Sequence, residues 1–167
     1  MCVREERKVS FLIMISIIVL TISLLFHPQV QNHKDEIKPN WLLDITEAKS
    51  LSHDTQKPIL ISFAGSDWCK PCIMLTREVF ETEEFSTYAS ENLILVLADF
   101  PRYKKNKLPE EQTQHNEGLA SLYNQNGEFP LVVLIDENGN VLGKTGYLKG
   151  GAKNFITHLD TLLAERE

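Results

Sequence analysis

The sequence predicts an α/β fold, a three-layer α/β/α sandwich around a four-stranded mixed sheet, and two observations support it. First, helical patterns alternate with three short apolar runs typical of buried strands, namely Ile59–Phe63, Leu93–Leu97 and Leu131–Ile135. Second, residues 136–140 form a strong hairpin turn signal, so Val141–Thr145 is expected to be an antiparallel edge strand. The strands separated by helices are expected to pair in parallel.

The helices are predicted from capping residues and apolar spacing. Asp44 followed by Glu47 indicates the start of a first helix, which Gln56-Lys57-Pro58 ends. A second helix follows Cys72 and runs to about Phe80, and Thr82 can cap a third. Residues 100–118 are interpreted as a long polar connection before a short helix at Leu119–Tyr123. The last helix has its apolar residues at helical spacing, at Phe155, Ile156, Leu159, Leu162 and Leu163.

Composition and charge exclude several classes of protein. The chain has 167 residues, with 17 Lys and Arg against 23 Asp and Glu and a net charge of −6. Residues 1–32 carry +1 of this, which leaves −7 on the rest, and an acidic domain does not follow a phosphate backbone. Nucleic acid is therefore not expected as a partner. Three cysteines are too few for a disulfide scaffold.

The first 40 residues predict a membrane segment and a tether. Residues 9–26 contain 14 apolar residues in 18 and no charge. A helix of that length spans about 27 Å, close to the ~30 Å hydrocarbon core of a bilayer. The cations Arg4, Arg7 and Lys8 precede it, so residues 1–8 are expected to stay in the cytoplasm while the remainder is exported. Residues 27–40 are polar, with two prolines, and are interpreted as a tether to a domain at 41–167.

Two fates of this segment stay open, an uncleaved anchor and a cleaved signal peptide. Cleavage requires small residues at an A-x-A-like site, and the residues that follow the apolar run, Leu24 to Gln29, include none. We therefore favour the anchor, which leaves the rest of the chain exported and tethered to the membrane. A cleaved chain would instead be secreted.

The chemistry is expected at Cys69-Lys70-Pro71-Cys72, where a buried strand passes into a helix. Free N–H groups at a helix N-terminus stabilise a thiolate, and Lys70 adds a cation. Thiols in a Cys-x-x-Cys arrangement typically have a lowered pKa, and Pro71 is tolerated in the first turn of a helix. We expect an exposed attacking thiolate at Cys69 and a more buried resolving thiol at Cys72.

Two other uses of a cysteine pair fit the sequence less well. A zinc site requires two further ligands, and the chain has no second cysteine pair and no His-x₃₋₅-His spacing. A purely structural disulfide closing so small a loop contributes little stability through chain entropy. Redox chemistry is the favoured interpretation, without a metal or an organic cofactor.

Residues 57–80, KPILISFAGSDWCKPCIMLTREVF, resemble the active-site segment of the thioredoxin superfamily. The likeness extends through Glu128–Leu131 and the 136–140 turn to the last helix, and so covers roughly residues 41–165. It implies a thioredoxin-like fold. The approach Gly65–Trp68 and the long stretch after Asp99 are most similar to the exported single-domain thioredoxin-like proteins of bacteria.

The resemblance also assigns roles to individual residues. It implies that Cys69 is the nucleophile, that Cys72 is the resolving cysteine, and that Trp68 packs against the active-site loop. Pro130 matches the family's cis-proline, which would place the backbone of Phe129 beside the cysteines to pair with an extended substrate. The family often has a buried carboxylate that deprotonates the resolving cysteine. Ser62 stands nearest to that position here and cannot act as a base, so Asp67 or a water is a candidate, although Asp67 is better interpreted as a solvated loop carboxylate.

Taken together, the sequence and the resemblance predict a monomeric thiol–disulfide oxidoreductase, with a reductase favoured over an oxidant. The resemblance places the domain on the periplasmic side of a bacterial inner membrane, or secreted into the periplasm if the N-terminal segment is cleaved. Its expected partners are client proteins with cysteines or disulfides and a membrane electron donor. The alternative is a thioredoxin-fold binding module that holds a soft metal or a client peptide without redox turnover. The 99–127 segment is interpreted either as a partner-contact loop or as a solvated insertion.

Overall fold

A computed structural model describes residues 39–164 of the chain. The predictions for residues 1–8, for the apolar segment 9–26 and for nearly all of the 27–40 tether lie outside the described residues. Inside residues 39–164, no helix combines the length and the apolar character that crossing a bilayer requires.

The described chain folds into five strands and five α-helices. The strands are β1 (Trp41–Leu42), β2 (Ile59–Ala64), β3 (Ile94–Asp99), β4 (Leu131–Ile135) and β5 (Val141–Thr145). The helices are α1 (Ile45–Thr55), α2 (Lys70–Leu75), α3 (Glu83–Asn92), α4 (Glu110–Tyr123) and α5 (Gly151–Ala164). A π-helical turn, Thr76–Phe80, continues α2, and a 3₁₀ turn, Lys104–Asn106, lies between β3 and α4.

The sheet is mixed, as predicted, but it differs from the prediction in two respects. It has five strands in the order β1-β3-β2-β4-β5, not four. The extra strand, β1, has two residues and pairs in parallel with β3 at Leu95 and Val96. A strand of two residues is too short to contain a repeating pattern, so it cannot be recognised from the sequence.

The second correction concerns β4, which runs antiparallel to β2 and not parallel as expected. The chain leaves β3 and enters β4 at the same end of the sheet, since Asp99 pairs with Ala64 and Leu131 with Phe63. A single helical crossover would have delivered the chain to the opposite end. Here the connection contains α4 and a separate return through residues 124–130, and two passes reverse the strand direction.

Most helix boundaries follow the capping signals. The Asp44 side chain accepts a hydrogen bond of 2.6 Å from the Thr46 N–H, and Gln56, in the left-handed conformation at φ 59°, is the C-cap of α1. Thr82 caps α3 through the Phe85 N–H at 3.2 Å. The predicted short helix near Leu119 is wrong in extent, because α4 begins at Glu110. Its first turns face the sheet through buried Asn116, whose amide donates to the Asp99 carbonyl at 2.8 Å, so no apolar spacing marks them.

The core lies on both faces of the sheet and confirms the three-layer arrangement. Consecutive residues of β2 alternate between two clusters, with Leu60 in one and Ile61 and Phe63 in the other. Helices α2, α3 and α5 cover the first face, and α1 and α4 cover the second. All six residues of β2 are buried, so its end is a fixed point from which the next segment departs.

Candidate functional site

The cysteines lie where β2 passes through a short loop into α2. Cys69 is the N-cap residue of α2, with an extended backbone, and Cys72 lies in the first helical turn. A disulfide of 2.04 Å joins their sulfurs, and their Cα atoms are 5.2 Å apart. The structure is therefore the oxidised form of a redox pair.

Local hydrogen bonds explain how the loop holds this geometry. The Cys69 N–H donates to the Gly65 carbonyl at 2.9 Å, and the Ile73 N–H donates to the Cys69 carbonyl at 3.1 Å, which starts the helix. The Cys72 N–H points at Cys69 Sγ, at 3.2 Å. An N–H at a helix start has no intrahelical acceptor, so it is available to stabilise negative charge on this sulfur once the disulfide is reduced.

The burial of the pair departs from expectation. Cys69 was expected to be exposed and Cys72 more buried, but the two are 4% and 3% exposed. The prediction of an exposed Cys69 is wrong for the oxidised form, because the two cysteines and Ala64 form one buried cluster against which Trp68 and Phe129 pack. Little of Cys69 is therefore accessible to solvent in this form.

Trp68 packs against the active-site loop. A Cβ built on Gly65 would collide with the indole, so the absence of a side chain there lets the ring lie on the loop backbone. Its Nε1 donates to the Phe100 carbonyl at 2.7 Å. On the ring, Arg102 Cζ lies 3.5 Å from the centroid, within cation–π range.

Phe129 and Pro130 lie beside the cysteines and are joined by a cis peptide bond, as the resemblance implied. The Phe129 ring meets Trp68 at 5.3 Å and Phe100 at 5.4 Å between centroids, both edge-on. These three aromatic residues form one wall of a groove of about 430 Å³. Residues of the β3–α4 connection and of α4 form the rest, including Arg102, Lys107, Leu108 and Glu117.

Asp67 is neither a simple solvated carboxylate nor a group directed at Cys72. It accepts hydrogen bonds from the N–H groups of Arg102 and Tyr103, each at 2.9 Å, and from the Asn106 amide at 2.9 Å. Partial desolvation alone would raise the pKa of Asp67, but these hydrogen bonds outweigh it and hold the pKa below its ordinary value. Asp67 thus fastens the β3–α4 connection to the active-site loop.

The remaining predicted site residues are either buried or exposed. Ser62 is buried inside β2, and Lys70 and Pro71 are exposed on the first turn of α2.

The sequence interpretation missed Asp99. Its carboxylate accepts hydrogen bonds from the Ser66 N–H at 2.9 Å and from the Ser66 hydroxyl at 2.6 Å. An aspartate that ends a strand beside the motif was the available signal. Within residues 39–164, no three His, Cys, Asp or Glu side chains converge as metal ligands.

Comparison with known proteins agrees with this geometry. A family model described as thioredoxin-like matches residues 40–137. The chain is 38% identical over 121 residues to the disulfide bond reductase DsbH of Chlamydia pneumoniae, a match that covers 71% of each chain. It is 26% identical to the thioredoxin-related protein DsbJ of the same organism, over 97% of this chain but only 46% of DsbJ.

Solved structures give the same result. A DsbH oxidoreductase structure matches with a TM-score of 0.72 and 33% identity, over 84% of this chain and 94% of that one. A thioredoxin from Thermus thermophilus matches with a TM-score of 0.57 and 15% identity, over 77% of this chain and 89% of the other. The second likeness concerns the fold alone.

The contact between Gly65 and Trp68 predicts the effect of one added methyl group. Gly65→Ala should displace the indole, because the new Cβ would occupy its position. We expect the mutation to lower stability by about 1–3 kcal/mol, the usual cost of overpacking, and to slow disulfide exchange. Denaturant unfolding measures the change in stability, and the change in tryptophan fluorescence during reduction and oxidation measures the rate of disulfide exchange.

The matched control is Gly118→Ala in α4, where a Cβ meets nothing within 4 Å. It should leave exchange unchanged and stabilise the helix by up to about 1 kcal/mol. Equal behaviour of the two variants would contradict the role given to the Gly65–Trp68 contact.

Proposed function

The chain belongs to the thioredoxin-like family and is a thiol–disulfide oxidoreductase, and we propose that it works as a reductase of client-protein disulfides, with Cys69 as the attacking thiol and Cys72 as the resolving thiol. The observation that carries the assignment of roles is the Cys72 N–H directed at Cys69 Sγ, at 3.2 Å. Of the two sulfurs, Cys69 is the one at the helix N-cap. It therefore gains most from the helix start as a thiolate.

The proposed reaction has two exchange steps. In the first, the Cys69 thiolate attacks one sulfur of the client disulfide, a mixed disulfide forms, and the other client sulfur leaves and takes up a proton. In the second, the Cys72 thiol loses its proton and attacks Cys69 Sγ, which releases the second client thiol. The client disulfide gains two electrons and two protons, and the Cys69–Cys72 disulfide is the oxidised product.

The groove beside the cysteines suits an extended client segment. Phe129 lies half-buried against both cysteines and follows directly on an exposed stretch, residues 125–128. We assign its backbone N–H and C=O to pairing with the client, as in the addition of a short strand. Pro130 would fix this backbone, and Lys70 would add positive charge near Cys69.

Replacing the cysteines one at a time tests the assigned roles. Cys69→Ser should reduce insulin-type disulfide reduction to the background rate, because a serine hydroxyl cannot take the place of a thiolate in disulfide exchange. Cys72→Ser should retain the first step, stop before the second and accumulate a mixed disulfide, detectable by mass spectrometry. Cys2→Ser, which removes the third cysteine of the chain, is the control and should turn over normally. Turnover by Cys69→Ser would contradict the proposal, and would favour a binding role for the pair.

The direction of electron flow is supported by two observations. The relative that is 38% identical to this chain is a disulfide bond reductase. A proline before the second cysteine, here Pro71, is similar to the reducing members of the superfamily. Lys70 acts in the opposite sense, since a stabilised thiolate makes the pair a stronger oxidant.

The reduction potential tests this direction. We expect a value close to about −270 mV, that of thioredoxin, because Pro71 and the reductase relative favour the reducing side of the range. Equilibration with thiol–disulfide buffers, followed by tryptophan fluorescence, measures it. Lys70→Gln should shift the potential to a more negative value, whereas Lys57→Gln, at the other end of β2, should not. A potential near about −120 mV, typical of a strong oxidant, would overturn the reductase assignment.

The cellular setting is proposed from residues 1–40. The apolar segment 9–26 anchors the chain in the inner membrane, and the domain faces the periplasm. A reductase in an oxidising compartment requires a continuous supply of electrons, so a membrane donor of electrons is the expected partner. An anchored domain stays close to such a donor.

Membrane fractionation tests this setting. The full chain should remain in membranes washed with alkaline carbonate, and its intact mass should include residues 9–26. In the same membranes, the Cys72→Ser chain should form a mixed disulfide with a membrane protein. A soluble periplasmic chain that begins after residue 26 would contradict the anchor and favour a cleaved signal peptide.

A further inference from the structure

One surface beside the cysteines has a charge opposite to that of the whole chain. Residues 102–107, which we call the cationic segment, read Arg-Tyr-Lys-Lys-Asn-Lys. They hold four of the 17 Lys and Arg of the chain and none of its 23 Asp and Glu. All six residues are exposed.

The cationic segment is fixed next to the active site. Asp67, two residues before Cys69, accepts hydrogen bonds from the backbone of Arg102 and Tyr103 and from the side chain of Asn106. Arg102 lies over the ring of Trp68, which itself precedes Cys69. The segment is therefore held at both of its ends to the loop that carries the redox pair.

The charge of the segment is not neutralised internally. Glu110 and Glu111 follow it closely, but they lie in the first turn of α4, where the helix dipole favours them. No carboxylate of residues 39–164 forms an ion pair with Arg102, Lys104, Lys105 or Lys107. Asp67 and Asp99 use their oxygens to accept hydrogen bonds from backbone and neutral side chains. Glu117 lines the same groove as Arg102 and Lys107 but forms no ion pair with either.

We propose that the cationic segment selects clients that carry carboxylates beside the reacting disulfide. The inference rests on the proposed reductase function and adds a class of client to it. An acidic segment that lies in the groove beside Phe129 would contact Arg102 and Lys107, which line it. Lys104 and Lys105 lie between these two residues in the chain. Unpaired cations beside a groove raise the local concentration and the association rate of anionic partners, by 10-fold to 1,000-fold in known cases. Elsewhere the acidic surface of the chain would repel the same client.

The test uses three disulfide-linked peptide dimers that differ only in the residues flanking cysteine, which are Glu, Gln or Lys. The reduced full chain, in nonionic detergent, is mixed with each, and the second-order rate constant is measured from released peptide thiol. Each constant is divided by that of dithiothreitol with the same peptide, which removes differences in the leaving thiol. We expect the Glu peptide to exceed the Gln peptide about tenfold at low salt, with the Lys peptide slowest.

The preference for the Glu peptide should depend on the charge of the lysines and on their position beside the active site. It should largely disappear at about 1 M salt, where the Debye length falls to about 3 Å. Lys104→Glu/Lys105→Glu should abolish or reverse it. The control Lys49→Glu/Lys57→Glu changes the net charge equally at the far end of the sheet, where Lys49 neighbours Gly139 and Lys57 precedes β2. This control should keep the preference.

Two outcomes would overturn the proposal. A preference for the Glu peptide that is absent, or lost equally in both double variants, would show that the cationic segment does not select clients. Loss of binding to phosphatidylglycerol vesicles in Lys104→Glu/Lys105→Glu, with unchanged peptide rates, would assign the segment to the membrane surface instead. Reduction of bis(2-hydroxyethyl) disulfide, which is uncharged, separates this inference from the proposed function. If all variants reduce it equally, the reductase function holds whatever the peptides show, and if the unmodified chain does not reduce it, the function itself fails.

Discussion

The site depends on the way the chain passes from a fully buried strand into the start of a helix. Because β2 pairs on both sides and all its residues are buried, its end at Ala64 is fixed relative to the sheet. Only five residues separate that end from α2, and two hydrogen bonds to the Gly65 carbonyl close the loop. Cys69 therefore reaches the helix N-cap with little freedom. The position of its sulfur against the Cys72 N–H follows from the sheet and not from contacts of the cysteines alone.

Trp68 connects the active-site loop to the β3–α4 connection and to the segment that contains Phe129. One face of its indole requires Gly65, its Nε1–H requires the Phe100 carbonyl, and its edge meets Phe129. Two aspartates complete the link, Asp67 to the cationic segment and Asp99 to Ser66. Both carboxylates thereby serve structure. The hydrogen bonds that hold the pKa of Asp67 low also make it a poor base, which argues against Asp67 as the group that deprotonates Cys72.

The sequence predicted those parts of the fold that depend on runs of apolar residues or on local capping. Strands β2, β3 and β4 are buried on both faces, which requires continuous apolar runs that are easy to recognise. The sequence prediction was wrong where a polar residue takes the place of an apolar core residue, and where the structure depends on segments far apart in the chain. Asn116 occupies a buried position in α4, so the first turns of this helix have no apolar spacing that would mark them. The direction of β4 depends on how many times the chain passes along the sheet between β3 and β4. The cysteine motif was visible, but the burial of Cys69 depends on Phe129, which is sixty residues away.

Reactivity and selectivity are governed by different parts of this site. The Cys72 N–H points at Cys69 Sγ and can stabilise the thiolate, independently of which client is bound. The lysines of the cationic segment contact neither cysteine and are exposed, so salt screens them from the sulfur more effectively than from a client that lies directly on them. Only 4% of Cys69 is exposed, and Trp68 and Phe129, which pack beside the cysteines, also line the groove together with Arg102 and Lys107. In the proposed reaction, a client segment lies in this groove while its sulfur approaches Cys69. A change in the segment can therefore alter which disulfides are reduced without altering the chemistry of the pair, because approach to the sulfur and stabilisation of the thiolate are carried by separate residues.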